Sequence, residues 1–169
     1  MRDAVDDIQE AWARQRPDLD LASIGVITRL GRLAGHLARA RRAALAQLGT
    51  DAATLDALAA LRRVGPPHRL RAGALQQASL LTSGAVSQRL DKLEAAGLVR
   101  RRPDRADGRV VTVELTARGR ALVDRAVSGL MDQERELLAP LSAADRRTLV
   151  RLLRRWLLWF EGEATGPLR

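Results

Sequence analysis

The sequence contains no cysteine, and its 169 residues include only two histidines and one phenylalanine. Without cysteine, the chain can form no disulfide, thiolate metal site or thiol redox switch. His36 and His68 alone are too few for a histidine-based metal cage, and we expect His68 to be a solvent-facing loop residue. We therefore predict no metal and no cofactor.

Long apolar runs are also absent. No segment approaches the roughly 20 apolar residues that a membrane helix needs, and the N-terminus begins with the charged stretch MRDAVDDIQE rather than an apolar targeting segment. The sequence shows no Walker-type loop, no triad built on histidine and no paired carboxylates in an apolar setting. We expect a cytoplasmic protein that has no membrane partner and is not an enzyme.

Positive charge is present in excess. The chain has 29 Lys and Arg residues against 20 Asp and Glu residues, a formal net charge of +9. A field of this sign attracts polyanions. Nucleic acid is therefore the first partner that the composition indicates, in a chain of the length of one domain.

Apolar residues recur at intervals of three and four, which predicts amphipathic helices. A long helix is predicted over 21–48, a second over 51–63, two short ones over 70–78 and 83–96, and two further helices from 116 to 138 and from 142 onwards. Thr116 is predicted to cap the first of these last two, and Ser142 with Asp145 resembles a capping box. Gly97 is predicted to end the helix before it. The alternating stretch 111–115 and the stretch 98–102 read as two strands of a hairpin.

Three stretches resemble the MarR family of transcriptional regulators: SGAVSQRLDKLEAAGLV at 83–99, DRADGR at 104–109 and LTARG at 115–119. The resemblance implies a mainly α chain with a small β-hairpin wing, a winged helix-turn-helix with long N- and C-terminal dimerisation helices. We expect an N-terminal extension and dimerisation helix at 1–48 and a DNA-binding lobe at 49–115. Dimerisation helices are expected at 116–161 and a tail at 162–169, all within one compact chain.

The helix that begins at Ser83 is the predicted recognition helix. Val86, Leu90 and Leu93 would face the core, which leaves short polar side chains on the outer face to approach base edges. The predicted DNA contacts on this helix are Ser83, Gly84, Ser87 and Gln88, with Lys92 on a phosphate. The alternative is an ordinary solvated helix face.

The resemblance also assigns roles in the wing. Arg105 or Arg109 would enter the minor groove or contact phosphate, and Asp104 and Asp107 would hold the turn. A solvated cluster of charges is the alternative interpretation.

The N-terminal half is similar to the PecS-type, urate-responsive branch of the family. That similarity implies an extra N-terminal helix and an effector site formed by Trp12, Asp56, Arg89 and Arg101. A planar anion such as urate or a related purine could stack on the indole and bind the guanidinium groups. We expect Asp56 to pair with Arg89 until the anion repels it. Alternatively, Trp12 staples the extra helix, Asp56 and Arg89 form a structural ion pair, and Arg101 is an ordinary strand residue.

A wide apolar band on the last helix predicts a homodimer interface, as the family resemblance implies. The predicted interface residues are Leu21, Ile24, Trp156, Trp159 and Phe160; burial within one chain is the alternative. The whole pattern predicts a dimeric repressor that binds a near-palindromic double-stranded DNA site and is released by a small anionic or aromatic effector. Two other hypotheses remain, an effector-independent winged-helix regulator and a winged-helix protein–protein adaptor.

Overall fold

The computed structural model describes residues 2–78, 83–103 and 110–163, without the side chains of residues 76, 83–87 and 163. Within these ranges the chain forms seven helices and three strands. In chain order they are α1 (Ala4–Gln15), α2 (Ala22–Gln47), α3 (Ala52–Arg63), β1 (Arg69–Arg71), α4 (Ala72–Ala78), α5 (Ser83–Ala95), β2 (Val99–Pro103), β3 (Val111–Leu115), α6 (Ala117–Leu137) and α7 (Ala143–Glu163). The prediction of a mainly helical chain with a small β wing is confirmed.

Two compact units share this chain. The first spans residues 1–127 and contains α1 to α5, the three strands and the first half of α6. The second spans residues 128–169 and contains the rest of α6 and all of α7. In the described ranges no helix is both long and apolar enough to span a membrane. The same residues hold no group of three or more side chains that could ligate a metal ion.

The core of the first unit is built around α3. Leu55, Leu58 and Leu61 recur at three-residue intervals on this helix and are at most 3% exposed. Leucines at this spacing lie on one helical face, so α3 buries a continuous stripe. Every other helix of this unit and the sheet also contribute buried apolar side chains, among them Val5, Leu45, Leu75, Leu90, Leu93, Val99, Val113 and Val123.

The three strands form one antiparallel sheet in the order β1-β3-β2. The two predicted wing strands are confirmed, with Val99 opposite Leu115 and Pro103 opposite Val111. The third strand, β1, was expected to be the start of a helix. Its three residues pair with β3, Arg69 opposite Glu114 and Arg71 opposite Thr112. A strand of three residues is too short to show a period of its own. Its partner also lies more than 40 residues away in the chain, so no local pattern indicated the pairing.

His68 is buried, so the expectation of a solvent-facing loop residue is wrong. Its side chain lies in the first unit with 8% of the residue exposed. Its backbone N–H donates to the Gly65 carbonyl at 2.6 Å, and its carbonyl accepts from the Leu115 N–H at 3.0 Å. These bonds attach the loop to the end of β3 immediately before β1 begins.

Three predicted helix boundaries are confirmed: the end of α5 and the starts of α6 and α7. Ser142 Oγ accepts from the Asp145 N–H at 3.1 Å while Asp145 accepts from the Ser142 N–H at 3.2 Å, a reciprocal capping box. Gly97 has a φ of 66° just after α5, the left-handed conformation that favours glycine at a helix end. Thr116 Oγ accepts from the Gly119 N–H at 3.0 Å and caps α6.

The start of α6 is pressed against the start of β2. Thr116 donates from its hydroxyl to the Gly97 carbonyl at 2.8 Å and from its backbone N–H to the Leu98 carbonyl at 3.1 Å. One turn into α6, a Cβ placed on Gly119 would lie 2.0 Å from the Leu98 carbonyl oxygen. Only glycine fits there, because the obstacle is backbone that is itself hydrogen-bonded.

Replacing Gly119 with alanine should therefore destabilise the fold by about 1–3 kcal/mol or more, the range for overpacked sites. Gly73→Ala is the matched control, because a Cβ on that helical glycine meets nothing within 4 Å. It should leave stability unchanged or raise it by up to about 1 kcal/mol. Urea unfolding followed by circular dichroism measures both, and equal midpoints for the two variants would contradict the close approach at Leu98.

Candidate nucleic-acid interface

Helix α5 has one face in the core and one face towards solvent. Leu90 and Leu93 are at most 4% exposed, while the predicted DNA contacts Gln88 and Lys92 are both exposed. The other predicted contacts, Ser83, Gly84 and Ser87, lie on the first turns of the same helix, and their side chains lie outside the described set. The helix thus offers a polar surface at Gln88 and Lys92 on an apolar foundation.

The tip of the wing lies outside the described residues. This applies to Asp104, Arg105, Asp107 and Arg109, so their predicted roles remain predictions. The strands on either side of the tip are paired in register from Val99 to Pro103. The described part of the wing is therefore the paired β2–β3 ladder.

Arg101 joins the wing to α5. Its Nη2 donates to Asp91 Oδ1 at 2.5 Å, and its Nε lies 3.4 Å from Glu94 Oε2, an ionic contact without hydrogen-bond geometry. Its backbone N–H, on the outer edge of β2, donates to Glu94 Oε1 at 2.9 Å. Asp91 therefore holds the side chain of Arg101, a predicted effector residue, and Glu94 holds its backbone. These bonds join α5 to β2 of the wing, the two elements that are predicted to read DNA.

Arg89 contacts Asp51, not the expected Asp56. Its Nη1 lies 3.1 Å and 3.2 Å from the two Asp51 carboxylate oxygens and 3.3 Å from Thr54 Oγ1. Asp56 instead accepts from Arg41 of α2 at 3.5 Å. The predicted Asp56–Arg89 ion pair is therefore wrong, because the carboxylate within reach of Arg89 lies at the start of α3.

Trp12 lies on α1 with 49% of its surface exposed. The presence of α1 confirms the extra N-terminal helix that the resemblance implied. Arg29 attaches this helix to α2. Arg29 donates to Asp3 at 2.9 Å and 3.0 Å and to Asp6 at 2.6 Å. The Arg29 guanidinium holds the pKa of Asp3 below its usual value, so the carboxylate is ionised at neutral pH and the ion pair is present.

The predicted interface residues lie on α2 and α7 or next to them. Leu21 precedes α2 and Ile24 lies in its first turn, both partly exposed. On α7, Trp156 is partly exposed, and Trp159 and Phe160 are about half exposed, at 52% and 50%. The Phe160 ring lies near both indoles, at 6.2 Å from Trp156 and in an edge-on arrangement at 4.8 Å from Trp159. The apolar face of α7 is therefore uncovered in the single chain.

Sequence reasoning missed the role of Asp51, although a signal for it was present. An aspartate directly before an apolar helical stretch is a typical N-cap, and Asp51 does accept from the Thr54 N–H at 2.9 Å. The cap was predictable from the sequence, whereas the second partner, Arg89, is 38 residues away.

The order of elements defines a class of protein. Two short helices, α4 and α5, are followed by the hairpin β2–β3, and α5 presents a polar face from a packed base; this is a winged helix-turn-helix, a DNA-binding architecture. A model of the MarR family matches residues 48–110. The regulator PecS of Dickeya dadantii is 36% identical over 151 residues, which cover 89% of this chain and 91% of that protein. The chain belongs to the MarR family of transcriptional regulators.

Other comparisons agree with this assignment. An HTH-type transcriptional repressor of Mycobacterium tuberculosis is 36% identical over 111 residues, 66% of this chain and 78% of that one. Among solved structures, a cysteine-to-serine mutant of Escherichia coli MarR complexed with operator DNA has a TM-score of 0.65 at 28% identity, covering 82% of this chain and 99% of that one. Bordetella bronchiseptica BpsR, whose DNA binding is regulated by 6-hydroxynicotinic acid, has a TM-score of 0.61 at 28% identity, covering 76% and 98%. The prediction that the chain is not an enzyme agrees with its membership in a family of regulators.

The bond between Glu94 and the edge of β2 can be tested by amide hydrogen exchange. Glu94→Ala removes the acceptor of the Arg101 N–H, and we expect this amide to exchange about tenfold faster or more, since a hydrogen bond to a charged group contributes about 1.5–3 kcal/mol. Asp91→Ala is the control, because Asp91 contacts only the side chain of Arg101. Equal acceleration in the two variants would contradict a specific bond at the strand edge.

Proposed function

We propose that this chain is a homodimeric repressor that binds a near-palindromic DNA site and is released from it by a small anionic aromatic effector such as urate. The observation that carries the DNA-binding part is the recognition helix, whose exposed Gln88 and Lys92 are set on the buried Leu90 and Leu93. The net charge of +9 supplies the attraction to phosphate. The likeness to E. coli MarR complexed with operator DNA supports the same assignment.

Further observations support the parts of the proposal that concern repression and dimerisation. The M. tuberculosis relative is named a transcriptional repressor. Uncovered apolar surface in a single chain indicates a protein interface, and α7 exposes Leu149, Leu152, Leu153, Leu157, Trp159 and Phe160. A two-fold dimer would place two α5 helices in successive major grooves, about 10 base pairs apart.

Arg89, Arg101 and Trp12 support the part of the proposal that concerns the effector. Arg89 and Arg101 are each bound to carboxylates of the protein, so each guanidinium already occupies an anion-binding arrangement. An anionic effector would compete with those carboxylates, and the half-exposed indole of Trp12 offers a stacking surface. The regulation of BpsR by 6-hydroxynicotinic acid, an aromatic acid, supports an effector of this chemistry. Asp56 is bound to Arg41 in the structure. It would contact the effector only if effector binding broke this ion pair.

Selection of duplexes from a random-sequence pool tests the DNA-binding part. We expect the protein to enrich a near-palindromic site and to lose affinity steeply with added salt. Gln88→Ala should relax base preference at one position of each half-site by about 1–3 kcal/mol. Lys92→Ala should weaken selected and scrambled duplexes alike and reduce the salt slope by about 1. If no sequence is enriched, the protein–protein adaptor replaces this proposal.

The effector part is tested with urate and with 6-hydroxynicotinic acid added to the protein on its selected duplex. We expect at least one of them to weaken DNA binding about five- to 150-fold, the usual range of allosteric coupling. In Arg89→Ala the fold-change on adding the effector should shrink towards one. Specific DNA binding that neither compound alters would leave an effector-independent regulator.

A further inference from the structure

Arg89 is the side chain through which α5 contacts the beginning of α3. It follows Gln88, which faces solvent, and precedes Leu90, which is buried, so it leaves the helix between the polar and apolar faces. Its side chain is 28% exposed and ends at the Asp51 carboxylate, both of whose oxygens lie within 3.2 Å of Nη1. A shift or rotation of α5 would stretch these contacts.

Asp51 is itself held in place by α3. It is the N-cap residue, with an extended backbone, and accepts from the Thr54 N–H at 2.9 Å and from the Thr54 hydroxyl at 2.8 Å. Thr54 is buried, and the helix that follows supplies Leu55, Leu58 and Leu61 to the core. The carboxylate that Arg89 reaches is therefore attached to the most buried helix of the unit.

Electrostatics also favours the contact between Asp51 and Arg89. Partial burial acts to raise the pKa of Asp51, but the Thr54 hydrogen bonds and the nearby Arg89 outweigh it and hold that pKa below its usual value. The carboxylate is thus an anion near neutral pH, facing a guanidinium that is always charged.

We propose that Asp51 is a positioning residue for DNA recognition: through Arg89 it sets the position of α5 at which the recognition helix fits the major groove. The inference rests on the proposed DNA-binding function and adds to it a residue outside the predicted DNA and effector contacts. It also identifies Asp51, rather than Asp56, as the carboxylate that an anionic effector would have to displace from Arg89.

Asp51→Asn tests the proposal, because asparagine caps a helix as well as aspartate does but cannot form the ion pair. Removing a negative charge should, by simple electrostatics, tighten DNA binding. A positioning role predicts the opposite for the selected duplex, a loss of affinity of about five- to tenfold, while affinity for a scrambled duplex of equal length does not fall. The ratio of the two affinities is the readout, because a merely structural role would lower both together.

Asp18→Asn is the matched control. Asp18 is 59% exposed and pairs with Arg16, whereas Asp51 is 58% exposed and pairs with Arg89. The control removes the same charge and the same kind of ion pair away from α5, so its affinity ratio should equal that of the wild type. Arg89→Gln breaks the Asp51 pair without altering the cap, and Asp51→Asn/Arg89→Gln should lose no more specificity than either single variant.

The outcomes separate the two proposals. If the wild-type chain distinguishes the selected duplex from the scrambled one and Asp51→Asn retains the full ratio, the positioning role is wrong and DNA binding stands. Additive losses in the double variant would also overturn it. If Asp51→Asn does not fold, Arg89→Gln decides the question on the same ratio. A wild-type chain with no preference between duplexes overturns both proposals.

Discussion

The anchoring of α5 is the constraint on which the DNA-binding unit depends. In the part of the helix whose side chains are described, the core holds it through Leu90 and Leu93. Apolar contacts are non-directional, so two leucines fix the depth of a helix better than they fix its rotation. Charged hydrogen bonds are directional. Arg89 supplies such a bond towards α3, and Asp91 and Glu94 accept such bonds from Arg101 of β2.

The chemistry of these anchors connects stability with recognition. A guanidinium N–H that binds a carboxylate can also bind a phosphate or an organic anion. Nearly all basic residues of the chain are arginines, and Lys92 is its single lysine. Exposed ion pairs contribute little to folding, and the pairs at Arg89 and Arg101 are partly exposed. Such pairs can be exchanged for contacts with another anion without unfolding the unit, whereas the leucine stripe of α3 cannot be moved so readily.

Most of the secondary structure was predictable because its causes are local. The three- and four-residue spacing of α2, the Thr116 cap and the Ser142–Asp145 box each depend on residues a turn apart. The sequence failed where the partner is distant. β1 is ordered by pairing with β3, and the buried His68 is hydrogen-bonded through its backbone to Gly65 and Leu115. Arg89 pairs with Asp51 rather than with Asp56. Asp51 and Asp56 lie five residues apart near the start of α3, so no local pattern distinguishes them as partners; only the direction from which α5 approaches does.

The position of Asp51 also has a consequence for how an effector could act. Ligand binding changes DNA affinity only to the extent that the ligand favours one arrangement of α5 over another. A carboxylate of the protein that is fixed 3.1 Å from Arg89 competes with every small anion in solution, and its local concentration is high because it is attached to the same unit. A simple inorganic anion offers one kind of contact and cannot outcompete it readily. An aromatic acid that binds a guanidinium and also stacks on an indole gains a second, apolar contribution. Competition from the Asp51 carboxylate would therefore favour planar aromatic anions over simple inorganic ones. The Asp51–Arg89 pair that positions α5 would then also determine which effectors release the protein from DNA.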